Sequence, residues 1–258
     1  MGVRSLQFPD VVLVTGAAGA LGSALCDALV GHDVGVIATD RAQSSVPHPP
    51  ERKGFSWISA DLEKVEDRVR LVAEVRARAS GSLGIVHNAS FVSSSELEGW
   101  SGPLMSQSSE TWNRALEVSL TAAFSITRDL SDLLSNMPGS AIVHVSSMYS
   151  SLAPDWSLYE GTDLGNPAAY GVAKAGLEQL TRWLAATLAP NVRVNAVAPG
   201  GLKRNQPKNF IDRYEAKVPL SRMATEDDVV EPVLFLLSSH SSYITGIVVP
   251  VDGGYGIS

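Results

Sequence analysis

The chain of 258 residues has one cysteine, no run of basic residues, no internal repeat and no apolar stretch approaching the ~20 residues that cross a bilayer. A single thiol, Cys26, excludes an intrachain disulfide framework; set between Leu25 and Leu29, it reads as a small apolar residue of a helix. With a net charge of −7, neither nucleic acid nor an anionic membrane is an expected partner. His32, His48, His87, His144 and His240 show no metal-ligand spacing, so no metal is expected, and His87 and His144 fall in apolar runs where a local hydrogen bond would satisfy them. The opening residues, Met1 to Leu6, contain no signal-peptide hydrophobic region, and the expected location is the cytoplasm.

What is present is 45% hydrophobic and 18% charged, the composition of a globular protein with a substantial core. Strand-like and helix-like runs alternate throughout, which predicts βαβ units and a parallel sheet covered by helices on both faces. No composition shift marks a boundary, so residues 1–258 are read as one domain. Leu21, Leu25 and Leu29 form one helical stripe ending near Gly31; Val65, Val69, Val72 and Val75 form another. Helices are expected over about 109–132, 169–189 and 229–237, the last preceded by a Thr225/Asp228 cap, with loops at 44–53, 90–108 and 199–209.

The run Val11, Val12, Leu13, Val14, Thr15, Gly16, Ala17, Ala18, Gly19, Ala20, Leu21, Gly22 reads as a buried strand feeding a glycine turn that opens a helix. Such glycines allow a tight turn, close backbone approach to a pyrophosphate and close helix–strand packing, while the helix N-terminus offers free amides to phosphate. The next strand ends on Asp40, at a distance along the chain suited to a ribose contact. An acid there favours NAD over the 2′-phosphate of NADP; Arg41, directly after it, partly offsets that preference and leaves NADP open.

Tyr170 and Lys174 are four apart on a predicted helix and share a face. A cation that lowers a phenol from pKa ~10 by about 2 units raises its ionised fraction at neutral pH from about 0.1% to about 10%, making it a workable acid–base group. Ser146 and Ser147 end the preceding strand, where active-site groups of open α/β sheets gather, and Asn88 and Ala89 end the strand before that.

The set Thr15 to Gly22, Asp40, Asp61, Asn88, Ser147, Tyr170 and Lys174, with Pro199, Gly200 and the tail around Asp252, Gly253 and Gly254, resembles the short-chain dehydrogenase/reductase family over essentially the whole chain. The resemblance implies a Rossmann-type doubly wound sheet, a nicotinamide cofactor, and hydride transfer coupled to proton transfer through Tyr170. It implies that Ser147 orients the substrate oxygen and that Lys174 holds the nicotinamide ribose and lowers the phenol pKa. It gives cofactor contacts to Gly16, Ala18, Gly19, Leu21, Gly22, Asp40, Arg41, Asp61, Leu62, Asn88, Ala89, Val118, Tyr170, Lys174, Pro199, Gly200 and Leu202. It also implies a homo-oligomer, a dimer or tetramer built through the two long helices.

Four features depart from the family pattern. Gly19 stands one position early, as in longer nucleotide-sugar epimerases and dehydratases, so a cofactor-retaining epimerase or dehydratase stays open as an alternative. Ser119 replaces an asparagine that helps hold a relay water, which keeps a weakly catalytic NAD-binding regulatory protein open too. The segment between Ser147 and Tyr170 is about ten residues longer than usual. Its Trp156 and Tyr159, with Tyr149, Phe91 and Trp100, are candidates for a substrate wall. Lys203, Arg204 and Lys208 follow Pro199, Gly200 and Gly201, as a solvated loop or as partners of an anionic substrate such as a sugar phosphate. The small-molecule substrate expected is a secondary alcohol or its ketone. The insert and the Pro-Gly-Gly loop resemble a subgroup linked to bacterial surface-sugar biosynthesis, which suggests a sugar.

Overall fold

The computed structural model describes residues 6–41, 54–92 and 97–258. Seven parallel strands form one sheet: β1 (Val11–Thr15), β2 (Gly35–Asp40), β3 (Phe55–Ser59), β4 (Leu83–His87), β5 (Ala141–Val145), β6 (Arg193–Pro199) and β7 (Val248–Val251). Their order is β3-β2-β1-β4-β5-β6-β7. The order reverses between β1 and β4, and a crevice opens there at the carboxyl ends.

The strands are short apolar runs because both sheet faces are covered. Val12, Val14, Val36 and Val143 point to one face, where they pack with Leu25 and Leu29 of α1 (Ala20–Gly31) and Val229, Val233 and Leu237 of α8 (Glu226–Leu237). Leu13, Ile37, Ile85 and Ile142 point to the other. There they meet Leu71 of α2 (Val65–Arg78), Ile126 of α4 (Ala122–Asp129), Leu134 of α5 (Ser131–Asn136) and Leu184 of α6 (Ala168–Leu188). Cys26 is buried in the first of these cores, and burial pushes its thiol up to about 12, as expected of an inert apolar residue.

Three sequence expectations need correction. The apolar stripe of α2 is not Val65, Val69, Val72 and Val75: Val65 and Val69 are exposed, and the buried face is Arg68, Leu71, Val72 and Val75. Leu71, Val72 and Val75 face the core, and Arg68 on the same face reaches the Leu62 carbonyl and Glu117. The long helix expected over 109–132 runs on through α3 (Ser109–Leu116), a π-helical turn (Glu117–Thr121) and α4, and breaks only at Leu130, before α5. The loop expected over 199–209 ends early, because α7 (Lys208–Glu215) starts after Pro207. Only Phe210 and Tyr214 anchor α7, too few to make a stripe in the sequence. The expected Thr225/Asp228 capping box is present, and the expected loop over 44–53 lies outside the described residues.

Arg193 at the start of β6 holds the end of α8 in place. Its guanidinium donates to the carbonyls of Leu236 (2.8 Å), Leu237 (3.0 Å) and Ser238 (3.0 Å) and to the Ser241 hydroxyl (2.6 Å). Removing it leaves three partly buried carbonyls short of donors. Arg193→Ala is therefore expected to lower unfolding stability by about 2–4 kcal/mol in urea titration; a loss under ~0.5 kcal/mol would show that water replaces the guanidinium at no cost.

Candidate active site

At the switch point the ends of β1 and β4 are tied together. The Thr15 hydroxyl accepts from the Asn88 and Ala89 amides, both at 3.1 Å, and the Asn88 side-chain amide donates to the carbonyls of Thr15 (3.2 Å) and Gly16 (3.1 Å). Gly16 has φ +67°, and a Cβ there would stand 2.8 Å from the Ala89 Cα. A Cβ on Gly22 would stand 2.1 Å from the Gly16 carbonyl oxygen, so only glycine lets α1 start this close to the turn. Gly19 is the N-cap of α1 and supplies no side-chain acceptor, which leaves first-turn amides pointing out of the loop. Ala18 is buried, and its amide donates to the Asp40 carboxylate at 2.9 Å; the other Asp40 oxygen accepts from the Arg41 amide at 2.8 Å. Leu21 is half-buried beside them. An uncapped helix start over a glycine cradle, with a carboxylate at the neighbouring strand end, fits the phosphates and ribose of a nicotinamide dinucleotide.

Beyond β3, Asp61 and Leu62 form the next wall. Asp61 donates its amide to Asp67 (2.7 Å) and accepts from the Glu63 amide (3.1 Å). The Leu62 carbonyl accepts from Arg68 (2.6 Å), whose same nitrogen pairs with Glu117 at 2.6 Å. Arg114 holds Glu63 with two bonds, 2.7 and 3.0 Å. These two ion pairs attach the Asp61–Leu62 wall to α3 and to the π-helical turn that carries Val118 and Ser119. Arg41 and Arg114 both lie over the Phe91 ring, 5.8 and 5.6 Å from its centroid.

The ends of β5 and the first turns of α6 bring Ser147, Tyr170 and Lys174 together. Of the two candidate serines, Ser147 lies near enough to the Tyr170 phenol to lower its pKa, whereas Ser146 turns its hydroxyl to Glu178 at 2.9 Å. The Ser147 oxygen also accepts from the Tyr149 amide at 3.2 Å. Lys174 is buried, donates to the Val145 carbonyl at 2.7 Å, and has its pKa lowered to about 8 by that burial. The expectation that this ammonium depresses the Tyr170 phenol is not met. Burial raises the Tyr170 pKa, the nearby Ser147 hydroxyl opposes the rise, and the ammonium is aimed at a backbone carbonyl.

Ser119 is buried in the π-helical turn, with its hydroxyl 3.0 Å from that of Ser90, which in turn lies 3.0 Å from the Phe91 carbonyl. Pro199 ends β6; the Gly200 amide donates to Val251 (3.0 Å), the Gly201 amide to the Tyr214 hydroxyl (2.6 Å), and Leu202 bridges to Ala224. All the site residues thus gather along the carboxyl edge of the sheet.

The insert is bound to α7 instead of standing free. Arg213 donates to the carbonyls of Ser157 (3.2 Å), Leu158 (3.3 Å) and Glu160 (2.6 Å), and Lys217 pairs with Asp155. An aromatic series runs Trp156, Tyr159, Phe210, Tyr214, Tyr255 with ring centroids 5.1–6.2 Å apart. Tyr159 bonds Tyr149 hydroxyl to hydroxyl at 2.8 Å and lies near enough to Tyr170 to affect its pKa. Trp156, by contrast, is exposed, and Phe91 and Trp100 are buried edge-to-face against each other, so these three do not form the expected wall. The loop cations are also not free for an anion: Lys203 pairs with Glu215 (3.8 Å), Arg204 with Glu226 (2.8 Å) and Lys208 with Asp212 (2.6 Å).

The His87 and His144 rings have centroids 5.2 Å apart and planes tilted by 43°, and they bond to Thr127 (3.0 Å) and Thr181 (2.7 Å), while the His144 Nε2 has no partner. Burial lowers both, His87 to about 3, so both are neutral. Among the described residues no group of His, Cys, Asp or Glu is placed to hold a metal, and no helix is long and apolar enough to cross a membrane. Ser90, Glu178, Tyr214 and Tyr255 were missed from sequence. Glu178, four residues past Lys174, and Tyr214, four past Phe210, carried a spacing signal; Ser90 and Tyr255 carried none.

The family model described as enoyl-(acyl carrier protein) reductase matches residues 16–256. The chain is 33% identical to an uncharacterized short-chain type dehydrogenase/reductase of Sinorhizobium fredii over 98% of its own length, spanning 44% of that longer protein. It is 31% identical to a probable galactose dehydrogenase of Rhizobium meliloti, covering 98% of this chain and 99% of that one. The crystal structure of a short-chain dehydrogenase from Leptospira borgpetersenii with bound NAD+ superposes with a TM-score of 0.85 at 28% identity, covering 100% of this chain and 98% of that one. The chain belongs to the short-chain dehydrogenase/reductase family and is an NAD(P)-dependent oxidoreductase with that family's Rossmann-type fold.

Proposed function

We propose that the protein transfers a hydride between NAD and a neutral secondary alcohol or its ketone, with Tyr170 as general acid–base. The observation that carries this reading is the gathering of Ser147, the Tyr170 phenol and the buried Lys174 at the end of β5, with the Lys174 ammonium 5.7 Å from the Tyr170 ring centroid. The nicotinamide supplies the hydride acceptor or donor when bound. In the reduction direction the protonated Tyr170 phenol donates its proton to the reacting oxygen, to which Ser147 also donates; oxidation runs the same transfer in reverse and needs the Tyr170 phenolate. Lys174, with a pKa of about 8, is mostly protonated at neutral pH and serves as a donor to the nicotinamide ribose. Gly16, Ala18, Gly19, Leu21 and Gly22 would surround the phosphates. Asp40 would take the adenine ribose, with Arg41 beside it, and Asp61 and Leu62 the adenine. Asn88, Ala89, Val118, Pro199, Gly200 and Leu202 would line the path to the nicotinamide. The Asp40 carboxylate, fixed by the Ala18 and Arg41 amides, repels a 2′-phosphate and favours NAD.

The substrate side is aromatic and hydroxyl-bearing through Tyr149 and Tyr159, while the nearby cations are already paired. A neutral cyclic polyol such as a sugar suits it better than a sugar phosphate, in keeping with the galactose dehydrogenase relative. Assembly into a homo-oligomer is supported by an apolar groove of about 410 Å³ between the π-helical turn, α4 and α6, where Phe124 and Trp183 are exposed. A cytoplasmic location fits use of a diffusible nicotinamide pool.

Mixing the protein with NAD and a panel of neutral sugars and cyclic alcohols is expected to raise reduced-nicotinamide absorbance, and Tyr170→Phe to cut the rate by about 10²–10⁴-fold with NAD binding retained. Silence across the panel from NAD-binding protein would move the reading to cofactor-retaining epimerisation or to regulation. Ser119→Asn is expected to keep or raise turnover, and a collapse of turnover in a folded variant would give the Ser90–Ser119 pair a role of its own. Lys174→Met is expected to abolish turnover yet resist denaturant better than the parent at pH 7. The parent gains stability as pH rises from about 8 towards the unfolded value of 10.5, because its native state releases the proton first, so the advantage should shrink over that range. A lower midpoint for Lys174→Met at pH 7 would refute the burial penalty.

A further inference from the structure

Glu178 lies one helical turn beyond Lys174 and two beyond Tyr170, so α6 presents all three on one face. Its side chain is buried, where a carboxylate persists only if hydrogen-bonded. Its nearest cation, Arg182, stands 3.7 Å from Oε2 and is half-exposed. The closer partners are two hydroxyls: Oε1 accepts from Ser146 at 2.9 Å and from Ser150. Those serines bracket Ser147. The Ser150 amide donates to the Ser147 carbonyl at 3.0 Å, closing the turn Met148–Ser150.

Each of the two hydroxyls has one proton and a second acceptor within reach, the Lys174 carbonyl (3.3 Å) for Ser146 and the Ser147 carbonyl (2.7 Å) for Ser150. An ionised carboxylate outcompetes a neutral carbonyl for such protons. Lys174 holds the Val145 carbonyl just upstream, and at Gly171 a Cβ would stand 2.9 Å from the Tyr149 carbonyl, so the helix and the turn touch through backbone. We propose that Glu178 is a positioning residue that draws Ser146 and Ser150 onto α6 and thereby fixes the Ser147 hydroxyl against the Tyr170 phenol. This rests on the reading that Ser147 and Tyr170 act as a pair.

The test is a pH titration of phenolate absorbance in the NAD-saturated protein, taken as the difference between each variant and its Tyr170→Phe counterpart so that the other tyrosines cancel. Ser147→Ala is expected to raise the Tyr170 midpoint by about 0.5–1 pH unit, the effect of one lost hydrogen bond. Glu178→Leu and Ser150→Ala are expected to raise it comparably, and Glu178→Leu to add nothing once Ser147 is alanine. Glu178→Gln is expected to stay near the parent, because one amide oxygen can accept both hydroxyls. A shift with Ser147→Ala and none with Glu178→Leu or Ser150→Ala overturns the proposal and leaves the catalytic pair standing. No shift with Ser147→Ala overturns the pair and the proposal together. Should Glu178→Leu not fold, Ser150→Ala, which removes a single oxygen, decides between these outcomes.

Discussion

In a parallel sheet every strand delivers its carboxyl end to the same edge, and all of the candidate chemistry in this protein follows from that direction. Thr15, Asp40, Asn88, Ser146 and Pro199 end five different strands, or directly follow them, yet lie along one crevice. The knot of Thr15, Gly16 and Asn88 matters most within it, because it closes the gap where the strand order reverses. Asn88 satisfies two carbonyls that the turn strips of strand partners, and Gly16 leaves the room in which Ala89 can sit. A side chain at Gly16 or Gly22 would move the start of α1, and with it the amides that face the crevice.

The same edge is reinforced from the helix side by charges that are seldom left unpaired. Arg68 and Arg114 join the Asp61–Leu62 wall to the turn bearing Val118 and Ser119, while Lys174 and Glu178 join α6 to the end of β5. Where a part-buried ion pair such as Arg68–Glu117 loses one partner, the other is left as a costly orphan. Burial also sets the chemistry: it lifts Tyr170 above the ordinary phenol range and lowers Lys174 to about 8, so the lysine gives up its proton well before the phenol does.

The insert between Ser147 and Tyr170 behaves as a buttress. Arg213 binds three of its carbonyls and Phe210 packs on Tyr159, so the insert and α7 form one body next to the site. Its contribution to the crevice comes through Tyr159 and Tyr149, whose hydroxyls pair, while Trp156 faces solvent.

Much of this was legible in the chain because it depends on neighbours a few residues apart. Short apolar runs, the Gly16 to Gly22 turn, the Thr225/Asp228 cap and the four-residue step from Tyr170 to Lys174 are local patterns, and the sheet, the cradle and the shared helix face follow from them. The tertiary structure decided what depends on distant partners. It turned the Ser146 hydroxyl to Glu178 and left Ser147 beside the Tyr170 phenol; it turned Val65 and Val69 outward and Leu71 inward; and it broke the long helix at Leu130. It also paired Lys203, Arg204 and Lys208 with carboxylates from 4 to 22 residues further along the chain. Hydrophobic periodicity records which face of an element is buried, but a hydrogen bond or an ion pair is settled only when folding brings its second partner into reach.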